Sequence, residues 1–461
     1  MKRLFTPELA VLTILSAITR FWHLSTPNAV VFDETYYKTF AGHYLARSYF
    51  FDLHPPLGKL LFAAVANAFG VPASTLLGPD PVVILRVLPA FFGTLMVPLA
   101  YIILRQLDGS RRVASLGAFA VLCENALIVD SRLTLMEPFL IGFGLAAITL
   151  FLAARHATGR SRYAWLATSA LMAGCALSVK WTGASALGLI LAAWFFDAAG
   201  SRRLTRRTIA EGALLVAIPA AVYIGAFAIH FALLQRAGVG EAAASARVRA
   251  TLIGEPTYDS TLHVSLFEKI ADAHRQMNHA NRLLSTPHPA ASPWYTWPVM
   301  KHPIGLWQNT HPASGWMQSV ILIGNPVIWW GGLVVVIVAI VEFYRRRELL
   351  RSNRFALAFL AGSFLINFVP FIGIRRTMFI YHYLFALVCL ILLASYCLGI
   401  LAGWTVPDET SSAADRRPVW TYRAALALIF AGFAFFAPLT YGWSLSRAGY
   451  DARFWVLDPR L

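Results

Sequence analysis

Charged residues are scarce in this chain: they account for only 13% of its 461 residues, whereas hydrophobic residues account for 58%. Soluble domains have roughly 25% charged residues, so the composition excludes an ordinary soluble protein. Acidic residues are the rarer sign, with 23 Asp and Glu against 39 Lys and Arg. The net charge of +16 does not indicate nucleic-acid binding, because the basic residues form short clusters between apolar segments. We therefore predict a polytopic membrane protein that binds no nucleic acid.

Cysteine is also rare, and all four cysteines (Cys123, Cys175, Cys389 and Cys397) lie inside apolar segments. Their spacing fits neither a metal site nor a disulfide framework, so we interpret them as small buried apolar residues. The sequence has no Gly-rich phosphate loop. It also shows no cleavable signal peptide, because the first apolar segment continues into Arg20 without a small-residue cleavage site. We expect that segment to remain as a helix.

Eleven apolar segments are long enough, or nearly so, to cross a bilayer, which requires about 20 residues. They are 4–22, 81–104, 113–129, 133–154, 163–179, 182–196, 209–231, 327–344, 355–374, 378–404 and 424–439. A further apolar stretch, 57–71, is too short to span, contains Lys59 and follows two prolines. We expect it to form an interfacial or re-entrant helix.

The basic clusters predict the orientation, because cytoplasmic loops collect Lys and Arg. If the N-terminus is cytoplasmic, every cluster lies on the cytoplasmic side. The clusters are Lys2 and Arg3; Arg105, Arg111 and Arg112; Arg155, Arg160 and Arg162; Arg202, Arg203, Arg206 and Arg207; Arg345, Arg346, Arg347, Arg351 and Arg354; and Arg416 and Arg417. We predict an N-terminal membrane half (1–231) with a first outer loop (23–80), an outer segment (232–326), and a C-terminal region of four membrane helices with an outer tail (327–461).

The first outer loop has the densest mixture of both charges, between residues 31 and 59. Within it, Asp33 and Glu34 are adjacent. Neighbouring carboxylates at a membrane edge are costly to desolvate and usually serve proton transfer or cation binding. We therefore predict that Asp33 and Glu34 are catalytic. The alternative is a solvated loop after a membrane helix.

Several cations lie near the outer ends of the predicted spans, where each would cost ~2.5–3.5 kcal/mol at the centre of a bilayer. They are Arg20, Arg86, Arg132, Lys180, Arg375 and Arg376. A cluster of cations from separate helices suggests an anionic ligand, and a lipid phosphate suits Arg geometry. The alternative is snorkelling at the interface. Glu124 and Glu137 are candidate internal partners for these cations.

The outer segment has two parts. Apolar residues at helical spacing predict a helix over 266–284 on the membrane surface. The Asp272 carboxylate and the histidines show no familiar ligand spacing, so we expect no metal. The second part, around Trp294, Tyr295 and Trp297, combines aromatics with prolines and indicates either interface anchors or a shelf for a sugar ring.

These features alone favour an integral-membrane transferase that acts on a lipid-linked phosphate. A solute transporter is the competing class. Transporters have paired broken helices, inverted repeats and a midplane site, whereas the charges of this chain lie on one face.

Seven motifs, taken in order, resemble the protein O-mannosyltransferase family of the GT-C membrane glycosyltransferases. The resemblance covers most of the chain. The motifs are VVFDETYY with YFFDLHPPLGKLL (30–37 and 49–61), LRVLPAFFGTLMVPLAYIILR (85–105), SRLTLMEP (131–138), ALSVKWTG (176–183), SPWYTWP (292–298), GNPVIWW (324–330) and RRTMFIYHYLFAL (375–387).

The resemblance implies an all-α GT-C fold with about eleven transmembrane helices and outer-face loop helices. It also implies transfer of mannose, with inversion, from a polyprenyl or dolichyl phosphate to Ser or Thr hydroxyls of exported proteins. Asp33 would take the hydroxyl proton, and Glu34 would position the acceptor or tune its neighbour. Arg20, Asp52 and His54 match further motif positions near the acidic pair and are predicted to bind substrate. We choose Arg86, Lys180 and Arg375 to hold the phosphate, and we predict that Trp294 and Trp297 line a groove for the acceptor peptide. No cofactor or metal is implied.

One departure from the family concerns the outer segment, whose 95 residues (232–326) are too short for the β-trefoil domain of the eukaryotic members. The chain is therefore similar to the bacterial form. This implies a bacterial inner-membrane protein with its active site on the extracytoplasmic face, and export machinery is a candidate partner. Without the β-trefoil domain, acceptor recognition stays open, and a lipid or glycan acceptor is the alternative.

Overall fold

The computed structural model describes residues 6–200, 205–311, 315–404 and 417–454. The helices are α1 (Pro7–Phe21), α2 (Glu34–Ala46), α3 (Leu57–Ala68), α4 (Ala73–Leu77), α5 (Val87–Gln106), α6 (Arg111–Leu122), α7 (Asn125–Ser131), α8 (Glu137–Arg155), α9 (Gly159–Val179), α10 (Ala184–Gly200), α11 (Arg206–Leu233), α12 (Ala246–Arg249), α13 (Leu266–Leu283), α14 (Pro326–Arg345), α15 (Arg347–Ser352), α16 (Arg354–Phe368), α17 (Leu384–Leu401), α18 (Arg417–Tyr441) and α19 (Arg447–Asp451). The strands are β1 (Ile304–His311), β2 (Trp316–Leu322) and β3 (Leu445–Ser446). Of the basic clusters, Lys2, Arg3, Arg202, Arg203 and Arg416 lie outside the described residues.

Within the described ranges, eight helices are long and apolar enough to cross a membrane, or nine if the bent pair α6 and α7 forms one span. Each of the eleven predicted segments overlaps a helix, but α1 and α9 are not among these eight. The number eleven therefore stays a prediction. The short helix α3 agrees with the expectation that 57–71 does not span.

The segment 113–129, predicted as one span, is a broken helix that bends by 57° between α6 and α7. A helix end inside the protein leaves carbonyl groups without intrahelical partners. The Arg20 guanidinium donates to two of them, the carbonyls of Val121 (3.0 Å) and Leu122 (3.3 Å). The buried Glu124 carboxylate accepts from the Trp329 indole (3.0 Å) and the Asn325 amide (3.2 Å). These contacts stabilise the break, which sequence periodicity did not reveal.

The core lies between α5, α8, α9 and α17, and α17 is buried along nearly its whole length. On one side of this core, α2 packs against α3 and α4. Lys38 of α2 binds the segment that follows α4, because its ammonium donates to the backbone oxygens of Gly78 (2.5 Å) and Asp80 (2.9 Å). The first outer loop is thus a packed unit rather than a solvated loop.

The outer segment contains the predicted helix, α13, which begins with a reciprocal capping box between Ser265 and Glu268 (3.2 and 2.8 Å). It also contains strands that the all-α prediction omitted. β1 and β2 of this segment form an antiparallel sheet with β3, which comes from the C-terminal region, and the β1–β2 register shifts between Gly305 and Trp307. The irregular alternation of apolar residues in β1 gave no clear strand signal.

Candidate active site

Asp33 lies immediately before α2 and is partly buried. Its carboxylate accepts no hydrogen bond within the described part of the chain. The pKa of Asp33 is raised from 3.8 to about 6. Burial is the largest cause, the Lys180 ammonium opposes the rise, and the Glu137 and Asp52 carboxylates add to it. A carboxylate with this pKa is mostly ionised at neutral pH and is a better proton acceptor than an ordinary Asp.

Glu34, the neighbouring carboxylate, is committed to the fold. It is buried and makes a two-point ion pair with Arg86, with Nε–Oε1 and Nη2–Oε2 distances of 2.8 Å. It also accepts from the backbone amides of Thr134 (2.8 Å) and Val31 (3.1 Å). This arrangement favours a positioning role for Glu34, which fixes the start of α2 and hence Asp33.

Arg86 has no N–H group left for a phosphate in this arrangement. Besides Glu34, its guanidinium donates to the backbone oxygens of Leu24 (3.2 Å), Pro27 (2.8 Å) and Ala29 (2.8 Å). The predicted phosphate contact of Arg86 therefore gains no support from the structure. Its contacts indicate that Arg86 holds the first outer loop against α5.

We expect Arg86→Met to destabilise the protein by about 3–5 kcal/mol, because it leaves the buried Glu34 carboxylate without its partner. The measurement is thermal or denaturant unfolding of the purified protein. Arg375→Met is the matched control, since Arg375 is exposed and has no partner in the described ranges. Normal stability of Arg86→Met combined with a selective loss of donor affinity would restore the phosphate assignment.

Lys180 lies between α9 and the short turn that precedes α10. Its ammonium forms an ion pair with Glu137 at the start of α8, and both side chains are buried. The ammonium also lies over the ring of Tyr381, 5.5 Å from the centroid. Since the charges of Lys180 and Glu137 both act on Asp33, the predicted base and the predicted cation belong to one cluster.

Asp52 and His54 join this cluster through Lys59. The Lys59 ammonium forms an ion pair with Asp52 and donates to the backbone oxygen of His54 (2.7 Å). Burial and the positive charges of Lys180, Lys59 and Arg376 hold the pKa of the His54 imidazole well below its usual range. His54 is therefore neutral and lies in a cationic environment.

Arg376, rather than the predicted Arg375, faces this cluster. Its guanidinium donates to the Asn281 side-chain oxygen (2.8 Å) and approaches the His382 Nε2 atom (3.2 Å). Arg375 is exposed. The two arginines are adjacent, so sequence alone gave no signal to choose between them.

Arg20 lies away from the cluster, at the break between α6 and α7. Arg132 lies beside it, donates to the backbone oxygens of Arg20 (3.3 Å), Trp22 and His23 (2.9 Å), and packs over the Tyr441 ring. Glu124 makes no ion pair with either arginine in the described structure; Glu137 is the internal acid that pairs with a cation. These contacts favour structural roles for Arg20 and Arg132.

The two predicted tryptophans differ in exposure. Trp297 is fully buried, donates to the Ser292 hydroxyl (3.0 Å) and stacks on His382, with ring centroids 6.0 Å apart and 9° between the planes. Trp294 is half-buried against Phe368, whereas Tyr295 is 64% exposed. Trp297 thus packs against the His382 ring inside the protein, whereas the Tyr295 ring is accessible to a ligand.

A chain of hydrogen bonds links α13 to the Lys180 region, and sequence analysis did not detect it. The Trp181 indole donates to the Tyr223 hydroxyl (2.9 Å), which lies 2.8 Å from the His274 Nε2 atom. At the other end of α13, Asn281 accepts from Arg376. Helix α13 is therefore linked by hydrogen bonds to Trp181, which follows Lys180, and to Arg376.

A cavity of about 270 Å³ lies beside the cluster. Its walls are mostly apolar and come from α8, the turn before α10, α10 itself, the segment 366–374, His382 and the start of α17. They comprise Leu140, Trp181, Thr182, Ala184, Ser185, Ile366, Asn367, Pro370, Phe371, Ile374, His382 and Phe385. Trp181 and His382 connect it to the cationic cluster. No group of three or more His, Cys, Asp or Glu residues suited to a metal occurs in the described ranges.

Two family models match the chain. The model described as dolichyl-phosphate-mannose-protein mannosyltransferase matches residues 10–235, and the C-terminal four-TMM region of protein O-mannosyltransferase matches residues 266–458. The chain is 30% identical over 295 residues to dolichyl-phosphate-mannose–protein mannosyltransferase 4 of Candida albicans, and 36% identical over 263 residues to protein O-mannosyltransferase 1 of Drosophila melanogaster. These alignments cover 59% and 53% of this chain but only 39% and 30% of the relatives.

Solved structures with the same fold include the Saccharomyces cerevisiae protein O-mannosyltransferase Pmt1-Pmt2 complex bound to the sugar donor. The TM-score is 0.86 at 18% identity, over 98% of this chain and 92% of that chain. ArnT of Cupriavidus metallidurans bound to undecaprenyl phosphate has a TM-score of 0.52 at 17% identity, over 93% and 69%. At these identities the likeness shows the fold, and it confirms the predicted GT-C architecture.

Proposed function

Because the chain belongs to the protein O-mannosyltransferase family, as its motifs indicated, we propose that it transfers mannose from a polyprenyl-phosphate donor to Ser or Thr hydroxyls of exported proteins. The names of the curated relatives support mannosyl transfer to protein. The proposal rests on one observation: the Asp33 carboxylate has no hydrogen-bond partner in the described structure and lies within the electrostatic influence of the buried Lys180 ammonium.

In the proposed reaction, Asp33 accepts the proton of the acceptor hydroxyl while the hydroxyl oxygen bonds to the anomeric carbon. The bond between that carbon and the phosphate oxygen breaks, and the lipid phosphate leaves with the electron pair. A single displacement inverts the anomeric carbon. An alcohol is a weak nucleophile near neutral pH, so a base within hydrogen-bond reach is required.

Lys180 and Arg376 are the proposed partners of the phosphate, whose negative charge grows as the bond breaks. Lys180 is kept from the sequence-based prediction, whereas Arg376 takes the place of Arg86 and Arg375, because Arg86 is occupied by Glu34 and Arg375 is exposed. The mostly apolar cavity beside Trp181 suits the first isoprene units of the lipid. The proposed acceptor is an extended segment near Tyr295, bound before the exported protein folds.

The proposed location is a bacterial inner membrane with Asp33 on the extracytoplasmic face. The charge pattern of the loops supports this orientation. Exported proteins are unfolded on that face as they emerge, so an extended Ser/Thr-rich segment is accessible there.

The test uses purified protein in sealed vesicles with polyprenyl-phosphate mannose and a Ser/Thr/Pro/Ala-rich peptide added outside. We expect a mass gain of one hexose on the peptide, only in vesicles in which Thr35→Cys labels from outside. Transfer to a lipid or glycan with the peptide ignored would refute the protein acceptor but not the transferase. Donor transport without any transfer would favour a transporter.

The pH dependence of turnover provides a further test of Asp33. The base must be ionised, and its pKa is about 6, so turnover at saturating substrates should rise with pH, reach half its maximum near pH 6 and level off above pH 7. The measurement is initial rate between pH 4.5 and 8.5. A profile that is flat between pH 5 and 7 would exclude a base with this pKa.

A further inference from the structure

Asp130, in the last turn of α7, is a buried carboxylic acid that no step above uses. Its side chain is 1% exposed, and neither carboxyl oxygen has a hydrogen-bond partner within the described ranges. Glu124, which is equally buried and only six positions earlier, accepts from Trp329 and Asn325. The fold thus supplies partners for one buried acid of this broken helix and leaves the other without any.

Three charged side chains from other elements influence the Asp130 carboxyl group. The charged groups that act on it are Glu137 from α8, Lys180 from the α9–α10 junction and Asp33 from the first outer loop. None of them donates a hydrogen bond to it. A buried carboxylate with neither a donor nor its own cation is strongly disfavoured, so Asp130 carries a proton and is a hydrogen-bond donor.

Binding of the donor phosphate would deprive the Glu137 carboxylate of its ion-pair partner. In this structure the Lys180 ammonium is engaged by Glu137, whereas the proposed function requires Lys180 for the donor phosphate. If Lys180 turns to the phosphate, the buried Glu137 carboxylate loses its cation. Leaving such a charge without compensation opposes binding.

We propose that Asp130 is the exchange partner of Glu137: when Lys180 turns to the donor phosphate, the Asp130 carboxyl O–H donates a hydrogen bond to the Glu137 carboxylate. The step is a change of hydrogen-bond partners, with no proton lost or gained. A carboxyl–carboxylate hydrogen bond is charge-assisted and short, so it compensates the Glu137 charge that Lys180 leaves behind. Asp130 is then a positioning residue that acts through Glu137 and Lys180, and the inference rests on the proposed function.

The test compares two replacements at position 130 in the purified full-length protein, with polyprenyl-phosphate mannose as the probe. Asp130→Leu removes the donor group, and we expect donor affinity to fall about 10- to 100-fold with turnover at saturating donor changed less than about threefold. Asp130→Asn retains an N–H donor and should stay within about threefold of wild type in both parameters. Thermal unfolding of both variants identifies any loss that is due to misfolding.

A double-mutant cycle with Glu137→Gln separates this role from simple packing. Once Glu137 has no charge, the Asp130→Leu replacement should cost no further donor affinity. Additive losses, or Asp130→Asn as weak a binder as Asp130→Leu, would overturn the proposal. Absence of donor binding to the wild-type protein would instead refute the proposed function, so the two failures are distinguishable.

Discussion

The Asp33→Asn variant is expected to lose about 10²- to 10⁴-fold in turnover while it retains the affinity for polyprenyl-phosphate mannose. The amide has the shape of the carboxylate but cannot accept the hydroxyl proton. The measurement is single-turnover transfer to a Ser/Thr peptide, with donor binding determined separately. Asp259→Asn is the matched control, because Asp259 lies on the outer segment and its carboxylate accepts hydrogen bonds from Thr261, two residues on. Full activity of Asp33→Asn would remove Asp33 from the mechanism.

Stability distinguishes this loss from misfolding. The pKa of Asp33 is higher in the folded protein than its ordinary value of 3.8, so the folded state binds this proton more tightly than the unfolded chain. Its contribution to stability therefore declines as pH rises from about 4 through 6. Asn has no such dependence, and at pH 7.5 the variant should be at least as stable as wild type. A variant that is inactive and also unstable would leave the catalytic role without support.

The Lys180→Met variant is expected to show the second large effect, in both donor affinity and stability. Removal of the cation should weaken donor binding by about 10²-fold or more, because a buried charge partner of the phosphate is lost. It also leaves Glu137 unpaired, which should lower the free energy of unfolding by as much as ~3–5 kcal/mol. The measurements are equilibrium donor binding and denaturant unfolding.

The Lys180→Met/Glu137→Gln double variant separates these two effects. With no unpaired charge left, stability should return towards wild type, whereas donor binding should stay weak. Arg447→Met is a suitable control for the loss of an ion pair, since the exposed Arg447–Asp451 pair should contribute less than about 1 kcal/mol. If the double variant regains donor affinity together with stability, Lys180 is a structural residue and the phosphate assignment is wrong.

Residues that are adjacent in this sequence have different partners in the structure, and the sequence alone could not show which residue of each pair is available to a substrate. Asp33 and Glu34 were predicted as a pair, but Glu34 is bound to Arg86 and two backbone amides while Asp33 accepts no hydrogen bond in the described structure. A turn at the start of a helix directs successive side chains differently, and only the packed partners reveal which side chain is occupied. The same reason separates Arg375 from Arg376.

The sequence by itself determined the membrane class, the GT-C architecture and the first-loop position of the candidate base. These follow from local properties: the length of apolar segments and the order of short motifs. Only the tertiary structure revealed the break after Leu122, the pairing of Lys180 with Glu137, and the Asp130 carboxyl group, which has no hydrogen-bond partner among the described residues. Each of these depends on side chains that are far apart in sequence or on the hydrogen bonds available at a buried helix end. Burial makes such contacts decisive, because an ionised group without a partner is costly inside a protein.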